Sequence, residues 1–244
     1  MNICLFKSEE IGVPLSVKDE RSRHLLKILH KKEGDSFTAG ITGGKSGTAF
    51  IEKITEDGIY FSFKEEADGK KLFPLKLIIG FPRPIQLKRL LRDVAALGAC
   101  EVHLTGTELG EKSYMKSTLV EKGNAYKMLF DGTVQAGSTH VPELFLYQSF
   151  KECLSVVCEE NKDRLFLGLD NVSPSMSLND ALEKNMKDTI VAAIGSERGW
   201  TDRERKMMVD EEFILCSMGN RIMRTETAAT VASSIILNKM GYLS

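Results

Sequence analysis

Residues 211–232 read EEFILCSMGNRIMRTETAATVA, and the rest of the chain is best understood outward from them. The apolar run Phe213, Ile214, Leu215, Cys216 has the length and composition of a buried strand. It breaks at Ser217, Met218, Gly219 and Asn220, passes through Arg221, Ile222, Met223 and Arg224, and enters an alanine-rich helical pattern at Thr225. Thr225 is the expected N-cap, with Glu226 in the first turn, where the helix dipole favours an acid. A strand that runs through a tight loop into a helix start leaves backbone N–H and C=O groups free to hold a small ligand. Gly219 permits close backbone approach, and a side chain at Gly219 or at the matching Gly195 is expected to fill the space beside that ligand. An ordinary strand-to-helix connection has the same spacing.

Upstream the same alternation continues. Continuous apolar runs at residues 75–80, 99–104, 144–147, 164–169 and 189–194 read as strands. Helical patterns at residues 84–97, 117–135, 150–158, 178–184, 202–208 and 225–240 separate or follow them. In the first helix Pro84 suits position N1, Ile85, Leu87, Leu90, Leu91, Val94 and Leu97 are the apolar set, and Gly98 marks the end. Strands alternating with helices imply an α/β fold with a parallel sheet covered on both faces.

Residues 1–72 differ: a short strand at 2–7, an amphipathic helix at 18–30, and β-type runs at 36–41, 48–54 and 59–64 split by glycine turns fit a compact barrel. The charged stretch 65–72 reads as a linker, dividing the chain into a β-rich domain, 1–72, and an α/β domain, 73–244. Ala39 to Ser46, AGITGGKS, satisfies the loose pattern of a phosphate-binding P-loop. That loop needs a helix directly after the lysine and serine, because the helix N-terminus forms part of the anion site. Here Gly47, Thr48, Ala49, Phe50 and Ile51 read as a strand, so a turn between strands is expected.

The 244 residues, 42% apolar and 27% charged, are ordinary for a globular protein, and no apolar run approaches bilayer length, so a cytoplasmic protein without a membrane span is expected. Five scattered cysteines and four histidines show no ligand spacing, so no metal is expected. A net charge of -1 excludes a broadly basic nucleic-acid binder and requires any RNA contact to be local. One local cluster exists: Arg21, Arg23, Lys27, Lys31 and Lys32, with His24 among them.

The MGNRIMRTETA of residues 218–228 closely resembles the LGxRILRTETA signature of the ribosomal RNA uridine-N3 methyltransferases, a branch of the SPOUT class. Ile194, Gly195, Ser196, Glu197, Arg198, Gly199 and Trp200 stand where that family writes IGPEGGF, and Arg23, His24, Leu25 followed by Lys32, Glu33, Gly34, Asp35 resembles its RHL and GD segment. The resemblance implies a PUA-like β-barrel followed by a SPOUT α/β domain with a C-terminal trefoil knot. It also implies a pocket for S-adenosyl-L-methionine (AdoMet) built from Leu169, from Ile194, Gly195, Ser196, Glu197 and Gly199, and from Ser217, Met218, Gly219, Ile222, Met223, Arg224, Thr225 and Glu226. The implied activity is N3-methylation of a uridine in 16S ribosomal RNA, with the RNA or the small ribosomal subunit as partner. Arg224 is the implied catalytic residue; with Arg221 it could stabilise charge on the base or hold phosphate. A homodimer is implied beside the pocket, to which the final helix gives Val231, Ile235, Ile236 and Leu237, and the cluster at Arg21, Arg23, His24, Lys27, Lys31 and Lys32 is the implied RNA-binding surface.

The match is uneven. Where relatives write QKxTELG this chain has Arg92 to Gly98 without the threonine and the acid, and where they write EAxEQSxRxxxP it keeps Gln135 and Pro142 but has Val134 and Ser138. His30 replaces the arginine of VLR, and Thr107, Glu108, Leu109, Gly110 stand for TERS. An RNA-binding protein that keeps an AdoMet pocket but has lost methyl transfer, and a P-loop nucleotidase, are the competing readings.

Overall fold

A computed structural model describes residues 2–121, 123–159 and 163–243. The chain divides into two compact units, residues 1–71 with 131–141, and residues 72–130 with 142–244. In the first unit the chain forms β1 (Cys4–Phe6), β2 (Leu15–Ser16), α1 (Glu20–Arg23), β3 (Ser36–Ile41), β4 (Lys45–Ile54) and β5 (Gly58–Asp68). The strands form one sheet in the order β1-β3-β4-β5-β2, parallel at β1/β3 and antiparallel elsewhere. Alternate residues point inward, and Phe6, Leu25, Phe37, Ala49, Ile51, Ile59 and Phe61 make the core.

The helix expected over residues 18–30 is shorter and irregular. Asp19 caps α1 by accepting from the Arg21 N–H at 2.8 Å. A wider turn of π type follows, closed by Leu29 N–H donating to the His24 carbonyl at 2.9 Å, and His30 turns left-handed at φ 52°. Of the apolar set, Leu25 is buried while Ile28 and Leu29 are exposed, so half of the amphipathic pattern does not face this core. The glycine-rich segment at 42–44 is a turn between β3 and β4, with no helix after it.

The second unit contains β6 (Phe73–Gly80), α2 (Pro84–Leu97), β7 (Ala99–Thr105), α3 (Lys112–Met115), α4 (Thr118–Glu121), α5 (Asn124–Gln135), β8 (Glu143–Tyr147), α6 (Phe150–Glu159), β9 (Leu165–Leu169), β10 (Met176–Ser177), α7 (Leu178–Asn185), β11 (Ile190–Ile194), α8 (Asp202–Asp210), β12 (Ile214–Ser217) and α9 (Thr225–Lys239). From Asp131 onward the residues of α5 belong to the first unit. Seven strands make one sheet in the order β10-β12-β9-β11-β6-β7-β8, every pairing parallel. The central strands are apolar on both faces because helices cover both. α2 packs on α9, and α9 on β6 and β11, while α6 and α8 pack together over the other face.

Two expectations about helix faces change. Leu87, Leu90, Leu91 and Val94 are fully buried, but Ile85 is 62% exposed, since it stands two residues from Leu87 and so on the far side of the helix. In α9, Ile236 and Leu237 are fully buried within this chain, which removes them from any surface between copies and leaves Val231 and Ile235 half-buried. Leu91→Ala should therefore lower unfolding stability by about 2–5 kcal/mol, whereas Ile85→Ala should change it by less than about 0.5 kcal/mol. Urea unfolding of the two variants checks the contrast.

Candidate active site

The functional geometry follows from strand register. In the sheet Leu169 lies opposite Ile194 on one side and Cys216 on the other, so β11, β9 and β12 end level with one another. Adjacent strands are about 4.8 Å apart, and the three loops therefore leave the sheet side by side at its carboxyl edge, where α/β sheets hold ligands. A cavity of about 270 Å³ opens there.

Its walls are held by buried polar contacts. Asp170, the first residue after β9, donates its N–H to the Cys216 carbonyl at 2.9 Å, extending the ladder by one residue. Its buried carboxylate receives Nε and Nη2 of Arg205, each at 3.1 Å, and the Ser173 N–H at 2.8 Å. Burial pushes the Asp170 carboxyl up, but the Arg205 hydrogen bonds and the Ser173 N–H outweigh it and hold the group below the ordinary carboxylate range. Arg205 also donates to Asp202 at 3.0 Å, so α8 is clamped to the end of β9. Trp200 donates its indole N–H to the Leu169 carbonyl at 3.0 Å from a buried position against Phe150.

The second loop is a tight turn. Gly199 has φ 72°, and its N–H donates to the Ser196 carbonyl at 2.9 Å. Thr225 donates its hydroxyl to the Gly195 carbonyl at 3.3 Å, joining the second and third loops. The N-cap of α9 is accordingly Arg224, which makes no side-chain cap, and Thr225 is the first helical residue, its hydroxyl engaged across the site. The two glycines differ in what surrounds them. A Cβ on Gly195 would stand 3.1 Å from the Gly199 backbone, so its absence serves turn packing, and around Gly219 nothing lies within 4 Å, so that position requires glycine for its φ of 102°.

Among the expected cofactor residues, Leu169, Ile194, Gly195, Ser196, Glu197, Gly199, Met218, Gly219, Ile222, Met223 and Thr225 line this cavity. Ser217, Arg224 and Glu226 are not in its lining, although Arg221 is. Sequence reasoning missed Asp170, Asn171, Val172, Arg198, Arg205, Cys216 and Ala228. Asp170 carried a signal, being an acid at the end of an apolar strand; Arg205 carried none, since its partner lies 35 residues away. Burial pushes the Cys216 thiol up to about 12, which disfavours its thiolate.

The basic cluster in the first unit is not uniform. Arg23, Lys27 and Lys32 are exposed and Lys31 half-buried. Arg21 is committed internally: it donates to Asp19, to Glu10 and, at 2.8 Å, to the Leu5 carbonyl, and its guanidinium lies 4.8 Å from the Phe6 ring centre. That clasp withdraws Arg21 from the set able to meet phosphate. His24 has its Nε2 atom buried without a hydrogen-bond partner among the described residues.

Breaking the Asp170 pair should be costly. Asp170→Asn removes the buried counter-charge of the Arg205 guanidinium and leaves only the exposed Asp202, and unfolding stability should fall by about 3 kcal/mol. Because the folded carboxyl is depressed below its unfolded value of about 3.9, its contribution is present above that pH and is lost as pH falls through the folded value. Urea unfolding between neutral pH and about pH 3 should show the difference between parent and variant shrinking with acid.

Comparison with known proteins agrees with this geometry. A family model described as an RNA methyltransferase domain matches residues 69–237. The chain is 39% identical over 246 residues to a ribosomal RNA small subunit methyltransferase E of Treponema pallidum, covering 97% of this chain and 91% of the relative. It is 31% identical to ribosomal RNA small subunit methyltransferase E 1 of Borreliella burgdorferi, covering 98% and 99%. The crystal structure of such an enzyme from Neisseria gonorrhoeae, bound to S-adenosyl methionine, shares the fold with a TM-score of 0.79 at 19% identity, over 98% of this chain and 97% of that one. The family model spans well over half of the sequence and two relatives exceed 30% identity along nearly all of it, so the chain belongs to the ribosomal RNA small subunit methyltransferase E family.

Proposed function

We propose that this chain is an AdoMet-dependent methyltransferase acting on N3 of a uridine in small-subunit (16S) ribosomal RNA. The carrying observation is the cavity at the level ends of β9, β11 and β12, lined by the residues on which the family resemblance rests. Its lining fits AdoMet: Leu169, Ile194, Met218 and Met223 offer apolar walls to a flat ring, the loop backbones offer hydrogen bonds, and Gly219 keeps the lip open. When bound, AdoMet supplies an electrophilic methyl group on a sulfonium.

The protein's own contribution is positioning and charge. A base nitrogen must be aligned with the methyl, and uridine N3 must give up its proton. Asp170 is poorly suited as the base, since both its oxygens already accept hydrogen bonds and it is held ionised by Arg205. Glu197 pairs with Arg83 at 3.4 Å. We assign the charge-stabilising role to Arg224, which stands outside the lining at the N-cap of α9, together with Arg221 of the lining, favouring the N3 anion through its O2 or O4.

The same reading makes residues 1–72 a PUA-like RNA-binding domain and 73–244 a SPOUT domain with a trefoil knot, working as a cytoplasmic homodimer. Ile222 and Val172 support the dimer: both line the cavity, at 85% and 68% exposure, and apolar side chains at a ligand's rim are expected to be covered. Among the described residues no helix is long and apolar enough to cross a membrane. In the proposed RNA surface Arg23, Lys27, Lys31, Lys32 and His24 remain, without Arg21.

Calorimetry should show AdoMet binding, and purified protein should transfer labelled methyl to small subunits from a strain lacking the gene. Binding without transfer would favour the competing reading, an RNA-binding protein with an inherited pocket. Gly219→Val places a β-branched residue at φ 102°, so the loop must rearrange: AdoMet affinity should fall at least about tenfold in a protein that still folds, with a melting temperature lowered by a few degrees. Arg23→Glu/Lys27→Glu should weaken RNA binding, more at low salt than at high, and leave AdoMet affinity alone.

A further inference from the structure

A second cavity, of about 340 Å³, lies at the carboxyl ends of β6, β7 and β8, on the same edge of the sheet as the methyl-transfer cavity. Phe81 follows β6, Thr107 follows β7 and Gln148 follows β8, and all three line it. The two cavities share a wall. Thr107, in the lining of one, donates its hydroxyl at 2.9 Å to that of Ser196, in the lining of the other. Gly80 brings the strands' ends this close, since a Cβ there would lie 2.5 Å from the Ser196 nitrogen. An occupant of the second cavity is therefore next to the group that receives the methyl.

The lining identifies the class of occupant. Phe81 and Phe150, at 4% and 2% exposure, give an apolar floor. Three acids line it with three cations: Glu204 and Glu108 are held within the unit, and Glu111 accepts from the Ser113 N–H at 3.4 Å at the start of α3. Glu204 is fully buried, accepting from the Thr201 and Glu108 N–H groups at 2.9 and 2.8 Å. Glu108 accepts from the Thr201 hydroxyl at 2.7 Å and pairs with Arg203 at 3.4 Å. Lys112 and Lys151 line the cavity, are exposed, and have no ion-pair partner among the described residues. The Gln148 side chain likewise makes no hydrogen bond there, leaving an amide donor and acceptor free. An apolar floor, a free amide and two exposed lysines outside any ion pair among the described residues match a base and the phosphates that flank it.

We propose that this cavity is a second substrate subsite, which takes a nucleotide of the RNA next to the one being methylated, with Lys112 and Lys151 on its phosphates. The assignment rests on the RNA methyltransferase reading above. It adds a place where the sequence around the target is gripped within the second unit, independent of the basic cluster in the first.

The test measures binding of small ribosomal subunits, prepared from a strain deleted for this gene, to parent and to Lys112→Glu/Lys151→Glu protein across a salt series. A charge-matched control, Lys88→Glu/Lys184→Glu, changes exposed residues of α2 and α7 outside both cavities. The subsite variant should bind at least about tenfold more weakly at low salt, with a log–log salt slope reduced by about 1.4, the share of two phosphate contacts to single-stranded RNA. AdoMet affinity by calorimetry and melting temperature should match the parent, and the control should bind like the parent. Equal binding by parent and subsite variant, or an equal loss in the control, overturns the proposal. A parent that binds subunits but transfers no methyl instead overturns the functional reading, and the comparison of variants still decides the subsite.

Discussion

The paired guanidinium and carboxylate of Arg205 and Asp170 are the interaction on which the site depends. Asp170 is the point where β9 stops being a strand and becomes a loop, and its backbone N–H still belongs to the ladder through Cys216. With α8 tied to it by two hydrogen bonds of 3.1 Å, the first loop cannot swing away from the sheet. Desolvating two charges is expensive, and the pair is tolerable only because Ser173 and Asp202 satisfy further donors and acceptors. The arrangement spends stability on position. It also keeps a buried carboxylate ionised with both oxygens already accepting hydrogen bonds.

The carboxyl edge of the sheet carries two cavities of different character. β12, β9 and β11 end level and enclose a small cavity with apolar walls, glycine turns and an already neutralised ion pair. β6, β7 and β8 end beside it with two lysines and an amide that have no side-chain partner among the described residues. In a chain of net charge -1 that difference matters, because an anionic polymer is then attracted only where acids have been locally cancelled. Arg203 supplies the counter-charge to Glu108, and Thr201 orders the acids, its backbone N–H and hydroxyl engaging Glu204 and Glu108 together.

The first unit shows the limits of reading charge from sequence. Arg21 and Arg23 stand two residues apart and look alike in a list of cations, yet Arg21 lies over the Phe6 ring and is saturated by Glu10, Asp19 and the Leu5 carbonyl, while Arg23 is exposed. The wider turn closed between His24 and Leu29 shifts the helical phase, so the periodicity that joined Leu25 to Ile28 and Leu29 no longer describes one face.

The order of elements in the second unit was legible from the chain alone, because runs such as residues 75–80 and 189–194 can be apolar at every position only in a strand covered on both faces, and Pro84 and Gly98 bracket α2 by backbone chemistry. The loops at the ends of β9, β11 and β12 were legible too, since glycines and a helix start follow apolar strands there. What only the tertiary structure decided is which strand ends lie level, that Thr225 spends its hydroxyl on Gly195 instead of capping its own helix, that Arg205 reaches Asp170, and that Thr107 meets Ser196 across 89 residues of sequence. Local pattern specifies elements because propensity and burial act over a few residues; these contacts are made by strand order and register, and strand order is settled only when the whole sheet closes its core.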